Sequence, residues 1–283
     1  MTKQRPHPPV GVSDLAGVVY SSGRVFDGLT TGRLDTAEFL RTGNTDGISS
    51  RQDLFLLEDL RDVARLVIEH GTAHLPVDAA FVQTLNSTIT RSGALHPGQF
   101  RREDQKIGVN TSHGRHEPPA IDAPGLHALI TRATAGSSIT ENAIDLFVAL
   151  AKAQPFEDGN KRTALFAANA LLIRSDAGVL LTIPVDEDPS RTQTARAFND
   201  HLARAYILDE DDDVKAMLRE HGLKPLEADE QTTAQTEDQE LRDRLSRLPG
   251  LGERPDLRPL ATRTPAHRST PSEGGPRRRL GHR

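Results

Sequence analysis

All nine phenylalanines and both tyrosines of this 283-residue chain lie between Tyr20 and Tyr206. Large rings carry much of the burial that a core requires, so the folded body is confined to that stretch and its margins. Residues 226–283, rich in Glu, Arg, Thr, Gln and Pro, cannot bury enough apolar surface to offset chain entropy and read as a disordered tail. Proline-rich residues 1–11 read as a flexible leader. Between them, residues 12–222 have the usual size of one domain. The 35 basic and 40 acidic side chains give a net charge of −5, so no global basic field points to a specific nucleic acid. Arg277, Arg278 and Arg279 could grip a nucleic acid or an acidic partner through counterion release, but a solvated tail is the simpler expectation. The absence of cysteine excludes disulfides, thiolate metal sites and cysteine nucleophiles, while eleven histidines keep imidazole chemistry open. No run of about 18 apolar residues and no basic-then-apolar amino terminus occurs. The expectation is a soluble, cytoplasmic protein with no membrane contact.

Helical spacing dominates that body. Over residues 52–69, Leu56, Leu57, Leu60, Val63, Ala64 and Val67 fall on one face, with Gly71 as the expected stop. Residues 76–89 repeat the pattern through Val77, Phe81, Val82, Leu85 and Ile89, and a short helix is expected over 126–134 after Pro124. Thr140 is the expected N-cap of a helix over 141–153 that buries Ile144, Phe147, Val148 and Ala151. A helix opening near Asn160 buries Ala164, Leu165, Ala168, Leu171 and Leu172, and one over 191–208 buries Ala195, Phe198, Leu202, Ala205 and Tyr206. Asp186, Glu187 and Asp188 read as the cap and turn before it. Six helices is a lower bound. Residues 98–119, where Phe100, Ile107 and Val109 stand among Gly, Asn, Ser and His, read as a short β-hairpin or flap.

The segment Gln154-Pro155-Phe156-Glu157-Asp158-Gly159-Asn160-Lys161-Arg162-Thr163 is a polar loop between two strongly apolar helices. A Gly-Asn loop opening a helix leaves the first backbone N–H groups unpaired at the positive end of the dipole, which makes an anion cradle. Lys161 and Arg162 add positive charge, and Asp158 could ligate Mg²⁺ shared with phosphate oxygens. The plainer alternative is a capping loop: Asp158 caps, Asn160 turns, and both cations face water.

Phe156, Asp158, Gly159, Asn160 and Arg162 match the signature His-x-Phe-x-Asp/Glu-Gly-Asn-x-Arg, so the loop resembles that of the Fic/Doc (Fido-fold) family. The stretch Gly98-Gln99-Phe100-Arg101, the flap ending in Pro118 and Pro119, and Arg41-Thr42-Gly43-Asn44-Thr45 extend the resemblance over most of residues 36–208. It implies an all-α, Fido-type helical bundle with a short β-hairpin flap, and a phenylalanine that anchors the loop. It further implies Mg²⁺ on Asp158 and the phosphates of ATP on Gly159, Asn160, Lys161 and Arg162. The family moves AMP, or in some members phosphate or another phosphate-containing group, onto a hydroxyl of a target protein whose backbone lies along the flap.

Against that pattern, Gln154 stands where the family has the histidine that takes the hydroxyl's proton. A neutral amide can orient a hydroxyl or a water but cannot act as a base near pH 7, and loss of a general base costs about 10²- to 10⁴-fold. His113 and His116 on the flap are candidate substitutes for that base, although exposed loop histidines are usually just solvated, and Glu157 reads as a solvated acid. Leu165 stands where many AMP-transferring members have a second arginine, and Thr42 where self-inhibited members carry a glutamate that clamps it. Residues 41–45 read equally well as a polar turn. Lys161 is similar to the Doc branch, where phosphate is transferred. Asn169 and Arg174 could reach an adenine or ribose, or be ordinary helix positions. Three readings follow: a transferase weakened or altered by Gln154, a catalytically silent module that binds a nucleotide or partner, and a purely structural loop.

Overall fold

The computed structural model describes residues 10–226 apart from 94 and 189. All of the expected C-terminal tail but Leu226, with Arg277, Arg278 and Arg279, and all but the last two residues of the leader lie outside the described residues; Leu226 N donates to Gly178 O at 2.9 Å. In chain order the described residues form α1 (Ala16–Ser22), α2 (Arg33–Thr42), α3 (Arg51–Thr72) and α4 (Ala79–Ser87), then a hairpin of β1 (Val109–Thr111) and β2 (Gly114–His116). Helices α5 (Ala123–Ala133), α6 (Ile139–Ala153) and α7 (Asn160–Arg174) follow, then β3 (Val179–Leu181), α8 (Gln193–Ile207), α9 (Asp212–Met217) and β4 (Leu223–Pro225). The protein is mostly helical, as the apolar spacing requires. None of the described helices is long and apolar enough to cross a membrane.

Helix α7 lies at the centre. Every residue from Arg162 to Ile173 is buried, so this helix shows no amphipathic stripe and must be covered on all sides. Helices α6 and α3 flank it. Gly71 is not the stop expected of it: α3 runs on to Thr72, and a Cβ at Gly71 would lie 2.7 Å from Ile173 Cγ2. The glycine therefore sets how closely α3 and α7 approach. Short polar side chains start the neighbouring helices, Asp78 accepting from Phe81 N at 2.8 Å and Asp122 from Gly125 N at 2.8 Å. The cap of α6 is Ser138, which accepts from Glu141 N, and not Thr140, which already lies within the helix. Asp186 accepts from Thr194 N and Oγ1 at 3.0 and 2.8 Å, in keeping with its expected capping role before α8.

The β1–β2 hairpin is antiparallel, Val109 opposite His116, and forms the expected flap. A second pair was not legible from spacing: β3 runs antiparallel to β4, Val179 opposite Pro225. Regular structure thus continues past the boundary expected at residue 222. Two helices before residue 43 were also missed. From α1 the chain passes through one π-helical turn, Gly23–Asp27, to Gly28 in the left-handed region at φ 70°. That turn brings Phe26 and Asp27 to α7.

Candidate functional site

The loop between α6 and α7 is built by side chains that replace missing backbone partners. Gln154 ends α6 in a left-handed conformation (φ 43°, ψ 61°), its N–H still donating to Leu150 O. Phe156 then drops fully into the core and stacks on Phe100, ring centres 5.4 Å apart. Asn160 closes the turn in both directions: its Oδ1 accepts from Phe156 N at 2.9 Å and its Nδ2 donates to Phe156 O at 2.8 Å. Asn86 on α4 ties three pieces together. Its Nδ2 donates to Asp158 O (2.9 Å) and Thr163 Oγ1 (3.1 Å), while its Oδ1 accepts from Gly98 N (2.8 Å) at the start of the flap segment. Gly159 adopts φ 72°, and a Cβ there would meet Asn86 Nδ2 and Ile89 Cδ1 at 3.1 Å. Both backbone angle and space demand glycine.

No side chain caps α7, so its first-turn N–H groups stay at the positive end of a buried helix. Arg162 is 2% exposed. Its Nη1 donates to Ser92 Oγ (2.9 Å) and its Nη2 to Ser92 O (3.2 Å), and two carboxylates stand slightly farther off: Asp27 Oδ1 is 3.5 Å from Nε, Asp158 Oδ2 3.7 Å from Nη2. Lys161 is half-buried, with Nζ 4.8 Å from the Phe26 ring centre, and burial holds its ammonium below the usual lysine range against the pull of Asp27. Burial also pushes Asp27 above the usual carboxylate range, although Arg162 opposes this; its Oδ2 is buried with no hydrogen-bond partner among the described residues. The capping-loop alternative is therefore right that Asn160 closes the turn; Asp158 Oδ1 accepts only from Gly159 N, ahead of the helix, and does not cap α7. Of the two cations, Arg162 is buried and Lys161 half-buried, so neither is simply solvated.

Asp158 is 57% exposed on its side chain, and no group of three or more His, Asp or Glu side chains able to hold a metal occurs among the described residues. One open carboxylate beside an anion cradle suits a Mg²⁺ whose other ligands are phosphate oxygens and waters. It does not suit a metal resident in the protein alone.

Gln154 is 3% exposed, and its backbone O accepts from Arg101 Nε at 2.6 Å. Arg101, itself buried, also donates to the carbonyls of Pro118 (3.0 Å), Ile107 (3.4 Å), Pro119 (3.4 Å) and Ala153 (3.5 Å). One guanidinium thus fastens both ends of the flap to the loop. Neither flap histidine is free to substitute for a base. His116 Nε2 donates to Lys152 O at 2.7 Å and the ring stacks on Tyr206 at 4.7 Å, burial holding it below its ordinary value. His113 Nε2 lies 3.0 Å from Asp200 on α8. Glu157 is not simply solvated: it accepts from Gln105 Nε2 at 2.8 Å and lies 3.2 Å from His96 Nδ1.

Other expectations need correction. The Asn169 amide is fully buried, bonding to Leu165 O, Leu181 O and Leu181 N, and so fastens β3 to α7 where no nucleotide can reach. Arg174 is at the far end of α7, donating to His74 O, some 20 Å from the loop at about 1.5 Å per residue. Thr42 ends α2 on the surface, its hydroxyl donating to Glu38, which makes residues 41–45 the polar turn. Asp27 and Ser92 carried no local sequence signal; Asn86, a polar residue between Leu85 and Ile89 on a buried stripe, did.

Residues 76–172 match the model of the Fic/DOC family. The matched stretch spans α4, the flap, the loop and most of α7. Among solved structures, a Fic domain-containing signaling protein from Bacteroides thetaiotaomicron superposes with a TM-score of 0.53 at 17% identity, covering 74% of this chain and 82% of that one. It shares the fold. BepC, a VirB-translocated effector protein from Bartonella tribocorum solved with AMPPNP, aligns at a TM-score of 0.38 and 19% identity over 72% of this chain and 98% of that one. No curated protein matches.

Proposed function

We propose that the loop of residues 154–163 binds the polyphosphate of ATP and that the protein transfers AMP, or a phosphoryl group, to a hydroxyl of a target protein laid along the flap. The observation that carries this reading is Arg162: a buried guanidinium hydrogen-bonded to Ser92 and only loosely ion-paired to Asp27 (3.5 Å) and Asp158 (3.7 Å), at the uncapped start of a central helix. A phosphate meets the guanidinium and the N–H groups of Asn160, Lys161 and Arg162 together, with shorter charge-assisted hydrogen bonds than either carboxylate makes. Asp158 is the residue to hold Mg²⁺, which when bound neutralises phosphate charge. Gln154 cannot take a proton; its part is to align the acceptor hydroxyl, so the rate is low or the reaction altered.

Intact-mass spectrometry after incubation with Mg²⁺ and ATP tests this through self-modification. The wild type gains an adenylyl or phosphoryl mass and Arg162→Ala does not. The almost complete burial of a neutral Gln154 favours a second reading, a silent nucleotide- or partner-binding module. That reading predicts mass gain only in Gln154→His.

A further inference from the structure

We infer that Asp59 and Ser92 are positioning residues that keep Arg162 available to an anion instead of letting its own neighbouring carboxylates consume it. The inference rests on the anion-binding reading of the loop. Asp59, on α3, has a fully buried side chain, yet it is completely satisfied. Its carboxylate accepts from Thr90 N (3.2 Å), Arg91 N (2.9 Å), Ser92 N (2.7 Å), Ser92 Oγ (2.8 Å) and Arg91 Nη1 (3.0 Å). Three consecutive backbone N–H groups converge on it and freeze the turn after α4. Arg91 balances the charge, pairing also with Glu58 and Asp62.

The consequence for Arg162 follows from the chemistry of a hydroxyl. Ser92 Oγ has one hydrogen, and it is given to Asp59, so only lone pairs remain to face Arg162 Nη1. Ser92 O accepts from Nη2 of the same guanidinium. One residue thereby holds both terminal nitrogens and fixes the plane of the fork, which leaves Nε and the second hydrogens of Nη1 and Nη2 uncommitted. Without this restraint the guanidinium can turn to tighten its loose ion pairs with Asp27 and Asp158, now 3.5 and 3.7 Å long, into short charged hydrogen bonds. Those bonds would compete directly with a phosphate.

Calorimetric titration of the full chain with Mg²⁺-ATP, and with tripolyphosphate alone, tests the relay. Ser92→Ala should weaken binding about tenfold, the scale of one hydrogen bond to a charged group. Ser92→Thr, which keeps the hydroxyl, should stay near wild type. In an Arg162→Ala background Ser92→Ala should have no further effect, and Asp27→Asn added to Ser92→Ala should recover part of the loss, because a competing acceptor is gone. Melting curves accompany each variant. Wild-type affinity in a folded Ser92→Ala, with affinity lost in Arg162→Ala, overturns the relay and leaves the anion site standing. Wild-type affinity in Arg162→Ala overturns the reading of the site and the relay with it.

Discussion

The loop of residues 154–163 and the flap of residues 98–119 touch along the Phe100–Phe156 bridge, yet they are held by opposite means. The loop is built from the core outward: Phe156 is fully buried, and the amides of Asn160 and Asn86 supply the hydrogen bonds its backbone lacks. The flap has no core of its own. Among the described residues it is attached through separate single side chains: Phe100 stacked on Phe156, the fan of Arg101 onto carbonyls, His116 bonded to Lys152 O and stacked on Tyr206, His113 and Ser112 against Asp200, and Gln105 on Glu157. On the proposed function, the loop's charges are thus held at fixed distances before any ligand arrives, and the hairpin, with no core of its own, is the part expected to yield. Among the described residues its two strands pair with each other and with no other strand.

The sharpest way to break the contrast is Phe156→Ala. Removing a fully buried ring should cost about 3–5 kcal/mol and abolish the cradle together with the fold, seen as one large drop in the melting temperature. Arg101→Ala comes next. It strips partners from buried carbonyls at about 1–3 kcal/mol, and hydrogen exchange should quicken in residues 98–119 far more than in α7. Equal protection loss in both would mean that loop and flap form one unit.

Asp27→Asn sharpens the account of the cradle. It removes a negative charge beside Arg162 and should strengthen tripolyphosphate binding about tenfold, on the scale of one charge pair near a protein surface. The pH sign follows from burial, which raises the carboxyl. A raised acid stabilises the fold fully below the ordinary carboxylate value and loses that contribution as pH rises through the raised one. Wild-type stability should therefore fall over that window, and Asp27→Asn should flatten the profile. The smallest effect is expected at His116. Because burial lowers its folded value, the stability contributed by the neutral ring is lost as pH falls from the ordinary 6.5 through the lowered value. Exchange in β2 should rise there, and His116→Phe should remove the dependence.

What the sequence revealed follows the same division. The stripes of α3 and α6 were legible because burial on one helix face leaves a period, α7 because its run is apolar throughout, and the loop proposed as the cradle stood out because its acid, glycine, amide and cations are contiguous. What stayed hidden is held by contacts distant in sequence. Asp27 meets Arg162 across most of the domain, Asp59 acts through the turn at Ser92, and β4 pairs with β3 from beyond α9. Gly71 was misread because a glycine near a helix end looks like a stop; here it admits Ile173. Thr140 was misread because two hydroxyl residues stand close together and only geometry shows that Ser138 accepts the bond.

The most direct test of the central claim, a prebuilt polyphosphate site centred on Arg162, is titration of the full chain with ATP in the presence and absence of Mg²⁺, beside Arg162→Ala and Asp158→Asn. The account predicts saturable wild-type binding that Arg162→Ala weakens at least about a hundredfold, as expected for a buried charge contact, while Asp158→Asn loses only the enhancement by Mg²⁺. Equal binding by wild type and Arg162→Ala, or none by the wild type, would contradict it.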